Sequence, residues 1–320
     1  ELRFELDKTE TLTIVLREGS AEIFGIELAP NRDYSFSNSK QAVFTWYGCT
    51  LETRGGVASI YKAQQSIMVA YANTHAQLEA RRDSALAALV EGRRAHGPRV
   101  LVAGPVDSGK STLCKILTAY AVRLGRCPLE VDLDVGQGEI TVPGAIAACS
   151  HDSSTLAVDQ RHSYTAPLAF FYGHTSVDEN PEYFKHLISR AAVCVNERAQ
   201  QDQDTNASGV IINTGGYIAG LGFKMLCHAI AEFSVDVVLI LGSDKLYSDL
   251  WQLIHNGTFP ALLAIKHQRS DGVICATSSA RRAARNGRIH QYFYGDPEEP
   301  PLSPSVLELS FDDVKVYPKG

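Results

Sequence analysis

Gly104-Pro105-Val106-Asp107-Ser108-Gly109-Lys110-Ser111-Thr112 spells G-x-x-x-x-G-K-S, the pattern of a loop that wraps phosphate. Ahead of it, Arg99-Val100-Leu101-Val102-Ala103 is a short apolar run rich in branched residues, which suits a buried strand. Behind it, Thr112 to Tyr120 is apolar at helical spacing. The loop thus falls between a strand and the start of a helix, where its chemistry requires it. Gly104 and Gly109 let the backbone curl so that successive N–H groups, through Asp107 and Ser108 to Thr112, face an anion. The helix start adds partial positive charge. Lys110 reaches the β and γ phosphates, and Ser111 offers a hydroxyl to Mg²⁺. A nucleoside triphosphate site follows.

Outward from the loop, residues 98–295 alternate strand and helix. Strands are expected at Val100–Ala103, Leu129–Leu133, Leu168–Tyr172, Gly209–Asn213, Val235–Leu241 and Leu262–Ile265. Helices are expected at Ser111–Leu124, Glu182–Ala199, Leu221–Phe233 and Lys245–His255. Runs such as Val237-Val238-Leu239-Ile240-Leu241 have no polar face and imply burial on both sides. The fold class is therefore α/β: a mainly parallel sheet of phosphate-loop type with flanking helices. Such sheets bind ligands at the carboxyl ends of their strands.

The flanks read differently. Residues 1–73 hold short alternating runs broken by Gly, Asn, Asp and Ser, including Ala42–Gly48 and Ser66–Tyr71. This pattern predicts a small β-sandwich or barrel ahead of the α/β part. Residues 74–97 change to a helical period and form a linker helix ending at Gly97-Pro98. Arg82 interrupts its apolar stripe, and the long stem is expected to cover apolar surface while the charge reaches water. Residues 278–293 form a helix with Arg281, Arg285 and Arg288 on one face. Residues 296–320 begin a further β region.

Val131-Asp132-Leu133-Asp134-Val135-Gly136-Gln137-Gly138 closes the second strand of the α/β part. Asp132 and Asp134 share a face because strands have a period of two. Beside a phosphate loop, one acid can order Mg²⁺ or its waters, and the other can take a proton from an attacking hydroxyl.

Bulk properties narrow the classes. The net charge of −6 opposes a protein coated in basic surface for duplex binding. Seven cysteines, odd in number and never spaced C-x-x-C, read as reduced thiols with no structural zinc motif. No apolar run approaches the ~20 residues that span a bilayer, so no membrane partner is expected.

The phosphate loop, with Asp134-Val135-Gly136-Gln137-Gly138 starting twenty-four residues after Lys110, resembles the polynucleotide 5′-hydroxyl kinase family of Clp type. That family includes the pre-mRNA cleavage factor subunit that also joins the tRNA-splicing endonuclease. The likeness extends through Glu1–Glu5, Ala42–Trp46, Tyr120–Gly125, Asn213-Thr214-Gly215-Gly216-Tyr217 and Gln291–Gly295. What it implies is transfer of the γ-phosphate of ATP, with Mg²⁺, to the 5′-hydroxyl of a single-stranded RNA end. The resemblance makes Lys110 the phosphate-loop lysine, Ser111 a metal ligand and Asp134 the acid that activates the hydroxyl. It also gives Asp134 and Gln137 a part in holding the metal. Thr175 in Gly173-His174-Thr175 and Tyr217 become RNA contacts, and Glu1 and Lys40 become adenine contacts. Protein partners in a pre-mRNA cleavage factor and the tRNA-splicing endonuclease, and a nuclear location, are implied likewise.

Three guanidiniums on one stripe suit a lid over transferring phosphates, and Arg281 and Arg285 match lid members of the family. Two positions depart from its pattern. Ala276 stands where a third lid arginine is expected, and Tyr217 where the family has tryptophan. These departures keep open a second reading, an ATP-bound scaffold subunit that turns over weakly or not at all. A nucleoside or small-metabolite kinase is a third.

Overall fold

The computed structural model describes residues 1–7, 9–155, 158, 167–295, 302–315 and 317. Two compact units divide the chain, Glu1–Ala276 and Thr277–Gly320.

The first unit opens with short antiparallel strands. In chain order they are β1 (Leu2–Glu5), β2 (Thr11–Gly19), β3 (Glu22–Ile23), β4 (Ile26–Glu27), β5 (Asp33–Ser37), β6 (Lys40–Phe44), β7 (Cys49–Gly55) and β8 (Ser59–Lys62). Among the described residues they form two sheets, ordered β4-β3-β6-β1-β8 and β5-β2-β7. Alternation puts Phe4, Leu12, Ile14, Leu16, Tyr34, Phe36 and Val43 into the shared core. Phe4 meets Phe36 edge to face at 5.6 Å. This is the expected sandwich.

The helix α1 (Met68–Val90) follows. Ser66–Tyr71, read from sequence as a strand, instead leads into this helix. Met68, Tyr71, Thr74 and Leu78 are buried at spacings of three and four, a helical stripe that a six-residue window cannot separate from a strand. The helix also stops at Val90, short of Gly97.

Then come β9 (Arg99–Ala103), α2 (Lys110–Arg123), β10 (Leu129–Asp132), β11 (Ala145–Ser150), β12 (Leu168–Phe171), α3 (Pro181–Gln201), α4 (Gln203–Ser208), β13 (Val210–Asn213), α5 (Leu221–Glu232), β14 (Val237–Leu241), α6 (Asp244–His255) and β15 (Leu263–His267). The sheet runs β12-β11-β10-β13-β9-β14-β15. The five strands from β10 to β15 are parallel, as expected. The other edge is an antiparallel pair, β11 on β10 and β12 on β11. Sequence reading passes over β11, because Ala145-Ile146-Ala147-Ala148-Cys149-Ser150 carries little branched or aromatic signal. Alternate residues of the central strands sort into two cores. Val100, Val102, Ile211 and Leu239 face α1 and α2. Leu101, Ile212, Val238 and Ile240 face α3, α5 and α6.

The second unit contains α7 (Ser278–Tyr294), capped by the Thr277 hydroxyl, which accepts from Ala280 N–H at 3.2 Å. Beyond it the expected β region over 296–320 falls partly outside the described residues, namely 296–301, 316 and 318–320. In the described part a single 3₁₀ turn stands at Phe311–Asp313.

Arg82 departs from expectation in a revealing way. It is fully buried rather than reaching water. Its Nε donates to the Ser208 carbonyl at 2.9 Å, and it pairs with Glu79, which also binds Arg126 at 2.9 Å. The guanidinium thereby locks α1 to the C-terminal end of α4, replacing lost hydration with a carbonyl and a carboxylate. Arg82→Ala should lower unfolding stability by about 3 kcal/mol in urea titration; a loss below about 0.5 kcal/mol would mean the buried pair is idle.

Candidate active site

Parallel strands β9, β10, β13 and β14 deliver their carboxyl ends to one edge, and every candidate catalytic group of the first unit stems from there. The loop after β9 turns into α2 at Gly109, whose φ of 91° lies in the left-handed region that a side chain would strain. Lys110 begins α2 and is buried, its Nζ donating to the Pro105 carbonyl at 2.8 Å. Burial pulls the Lys110 ammonium below its usual range, while the charges of Asp134 and Asp107 act to raise it.

The β10 end carries two acids with different tasks. Asp134 is half-buried, and its Oδ1 accepts from the N–H groups of Gly136 at 2.9 Å and Gln137 at 3.1 Å. That turn fixes the carboxylate at the cleft wall and leaves Gln137 exposed. Asp132 lies deeper. It accepts from Asp134 N–H at 3.0 Å, Glu139 N–H at 2.7 Å and the Asn213 amide at 3.1 Å. Burial, reinforced by the Asp134 charge, pushes the Asp132 carboxyl up to about 7, against the opposing backbone N–H groups.

Asn213 is the residue that sequence reading left without a task. It ends β13, the strand between β9 and β10, and its Nδ2 also donates to Ser111 Oγ at 3.3 Å. One amide thus joins the Ser111 hydroxyl to the Asp132 carboxylate. The link was not visible in sequence, because it needs the strand order that brings residues 111, 132 and 213 together. A hydroxyl and carboxylates gathered this way are the oxygen donors that suit a hard cation such as Mg²⁺.

The turn after β13 packs directly on the phosphate loop. A Cβ at Gly216 would lie 2.5 Å from Val106 N and 2.6 Å from Val106 Cα. Tyr217, next in the chain, exposes about half its surface (48 %). Thr175 is exposed, and its carbonyl would sit 3.1 Å from a Cβ at Gly136, so its backbone adjoins the Asp134 turn. Asp107 accepts from Ala276 N–H at 3.0 Å, tying the end of the first unit to the loop. Arg281 and Arg285 lie on α7 in the second unit, four residues apart along one face.

A cavity of about 250 Å³ extends from Gly109 and Thr112 at the start of α2 to Glu1 and Lys40 at the edge of the sandwich. Phe44, Tyr71, Val273 and Ile274 give it apolar walls. Glu1 accepts from Arg3 Nε and Ser66 Oγ, both at 2.6 Å, and Lys40 pairs with Glu5 at 3.0 Å. The residues proposed from sequence at both ends of the nucleotide thus line one chamber. Its walls come from segments more than two hundred residues apart, which no local pattern could reveal.

Two family models match the chain. One, described as the P-loop of mRNA cleavage and polyadenylation factor CLP1, covers residues 104–295. The other, the N-terminal beta-sandwich domain of polyadenylation factor, covers residues 1–85. A protein named CLP1 homolog from Anopheles gambiae is 41% identical, across 100% of this chain and 73% of that protein. A Gallus gallus protein named polyribonucleotide 5′-hydroxyl-kinase Clp1 is 38% identical with the same coverage. Among solved structures, a Clp1p–Pcf11p complex superposes with a TM-score of 0.80 at 24% identity, over 98% of this chain and 75% of that one.

Two outcomes follow from the site geometry. Gly216→Ala must displace Val106 backbone and should weaken ATP binding at least about tenfold in calorimetry, with the fold retained; unchanged affinity would contradict the packing. Asp132 is raised above its ordinary value of about 3.9, so its contribution to stability is complete below that value and is lost as pH rises through about 7. Urea midpoints should therefore fall more steeply from about pH 5 to 8 in the wild type than in Asp132→Asn; equal slopes would contradict it.

Proposed function

The chain belongs to the CLP1 family of mRNA cleavage and polyadenylation factors, and from that membership we propose that it is an ATP-dependent polynucleotide 5′-hydroxyl kinase acting on single-stranded RNA ends. The observation that carries this reading is the chain of hydrogen bonds from the phosphate loop to the acid-bearing turn: Ser111 to Asn213, Asn213 to Asp132, and Asp132 to the Asp134 N–H. An anion cradle alone would hold a nucleotide. A carboxylate facing it adds a proton acceptor for a second substrate.

The adenine enters the cavity between Thr112 and the Glu1–Lys40 edge, and the phosphates lie in the loop from Gly104 to Thr112. The Lys110 ammonium leaves the Pro105 carbonyl for the stronger phosphate acceptor. Ser111 and Asp134, with Gln137 beside them and Asn213 positioning the hydroxyl, would hold Mg²⁺, which would supply neutralisation of phosphate charge. Thr175 and Tyr217 hold the RNA end, the tyrosine by stacking. Asp134 accepts the proton of the 5′-hydroxyl. The oxygen so freed bonds to the γ-phosphorus as the β–γ bridge breaks and ADP leaves. Arg281 and Arg285 offset charge on the transferring group.

The setting proposed is nuclear, with a pre-mRNA cleavage factor and the tRNA-splicing endonuclease as assemblies. One feature favours the second reading, an ATP-holding scaffold. Ala276, where the lid's third arginine is expected, gives the loop only a backbone N–H to Asp107.

Lys110→Ala and Asp134→Asn separate the readings. On the kinase account both lower labelling of 5′-hydroxyl RNA by at least about a hundredfold, and Asp134→Asn still binds ATP. Wild-type protein that retains ATP and labels no RNA would establish the scaffold instead.

A further inference from the structure

Glu130 sits two residues before Asp132 on β10 and points to the same face. Its partner across the antiparallel ladder is Cys149 of β11. His151 follows Cys149 by two and completes the row. The three side chains are buried, and their donor atoms all lie within 4.8 Å of one another. His151 Nε2 stands 2.6 Å from Glu130 Oε2 and 3.3 Å from Cys149 Sγ.

The other ring nitrogen defines the chemistry. His151 Nδ1 is 3.3 Å from Thr155 Oγ1, whose own proton goes to the Asp152 carbonyl at 2.8 Å. That hydroxyl is thereby placed to accept from an Nδ1–H, the tautomer that frees the other nitrogen. Nε2 then turns its lone pair towards a carboxylate oxygen at hydrogen-bonding distance. Two acceptors that close hold either a shared proton or a metal ion between them.

We propose that Glu130, Cys149 and His151 form a binding site for a divalent transition metal of the zinc class, separate from the oxygen-lined nucleotide cleft. One thiolate, one imidazole and one carboxylate make a borderline-soft set that zinc accepts and Mg²⁺ does not. Both oxygens of Glu130 can bind, completing four positions. Metal–donor lengths of about 2.0–2.3 Å require the His151–Glu130 separation to open by less than about 1 Å. Thr155 acts as the outer partner that fixes the ring. Burial pushes the Cys149 thiol upward, so it is neutral before the ion arrives. Binding therefore displaces two protons, one from sulfur and the one shared between His151 Nε2 and Glu130, and the ion bolts β11 to the strand that carries Asp132.

Sequence spacing gave no zinc motif because the glutamate joins from the neighbouring strand. Chelator-stripped full chain, free of nucleotide, is titrated with Co²⁺ as a spectroscopic probe and then with Zn²⁺. The expected result is one ion per chain, a thiolate-to-cobalt charge-transfer band, release of two protons by calorimetry in different buffers, and a raised melting temperature with Zn²⁺. Cys149→Ser should abolish the band, and Glu130→Gln should weaken Zn²⁺ binding about tenfold or more. Cys275→Ser, altering an exposed thiol, should keep it. Folded wild-type protein that gives no thiolate band overturns the proposal, whatever the variants do. So does a band that persists in Cys149→Ser or vanishes in Cys275→Ser.

Discussion

A single amide holds the two halves of the cleft in register. Asn213 donates to Asp132 on one side and to Ser111 on the other. Because β13 lies between β9 and β10, a side chain at its end reaches both the phosphate loop and the acid-bearing strand end. Hydrogen bonds to buried charged groups are worth about 1.5–3 kcal/mol, enough to fix a side chain that would otherwise sample several rotamers. The surrounding contacts follow from that placement. Gly216, three residues on, packs against Val106 backbone, and Asp134, two residues beyond Asp132, hangs at the cleft wall from its own turn.

Much of this was open to reading in the amino-acid order, for identifiable reasons. The phosphate loop is local, with every element of its logic inside nine consecutive residues. The parallel sheet announces itself through strands with no polar face, as in β14. What stayed hidden depends on partners distant in sequence. Asn213 is an ordinary strand end until the strand order is known. Arg82 looks like a solvated charge until the Ser208 carbonyl and Glu79 close around it. Strand β11 is built mostly from small residues whose strand identity comes from pairing rather than propensity. Ser66–Tyr71 failed for a different reason, since a window shorter than two helical turns carries both periods at once.

Along β10, the period of two sorts two chemistries onto one face. Asp132, at the strand end, accepts from two backbone N–H groups and the Asn213 amide, which also bonds the Ser111 hydroxyl at the cleft. Glu130, one repeat deeper, meets a thiol and an imidazole within the sheet. The first set suits a hard cation exchanging with each nucleotide, and the second a resident ion that stiffens the sheet behind it. Acid placement on a single four-residue strand thus bears on both turnover and the rigidity of the site.

The central claim is that the Lys110 cradle and the Asp134 carboxylate act on opposite sides of one transferring phosphoryl group. A crystal structure with an unreactive ATP analogue and a short 5′-hydroxyl RNA tests it most directly. The account predicts the γ-phosphate at Lys110 Nζ and the RNA 5′-oxygen within hydrogen-bonding reach of Asp134, in line with the β–γ bridge. An RNA end lodged away from Asp134, with the analogue seated in the loop, would contradict it.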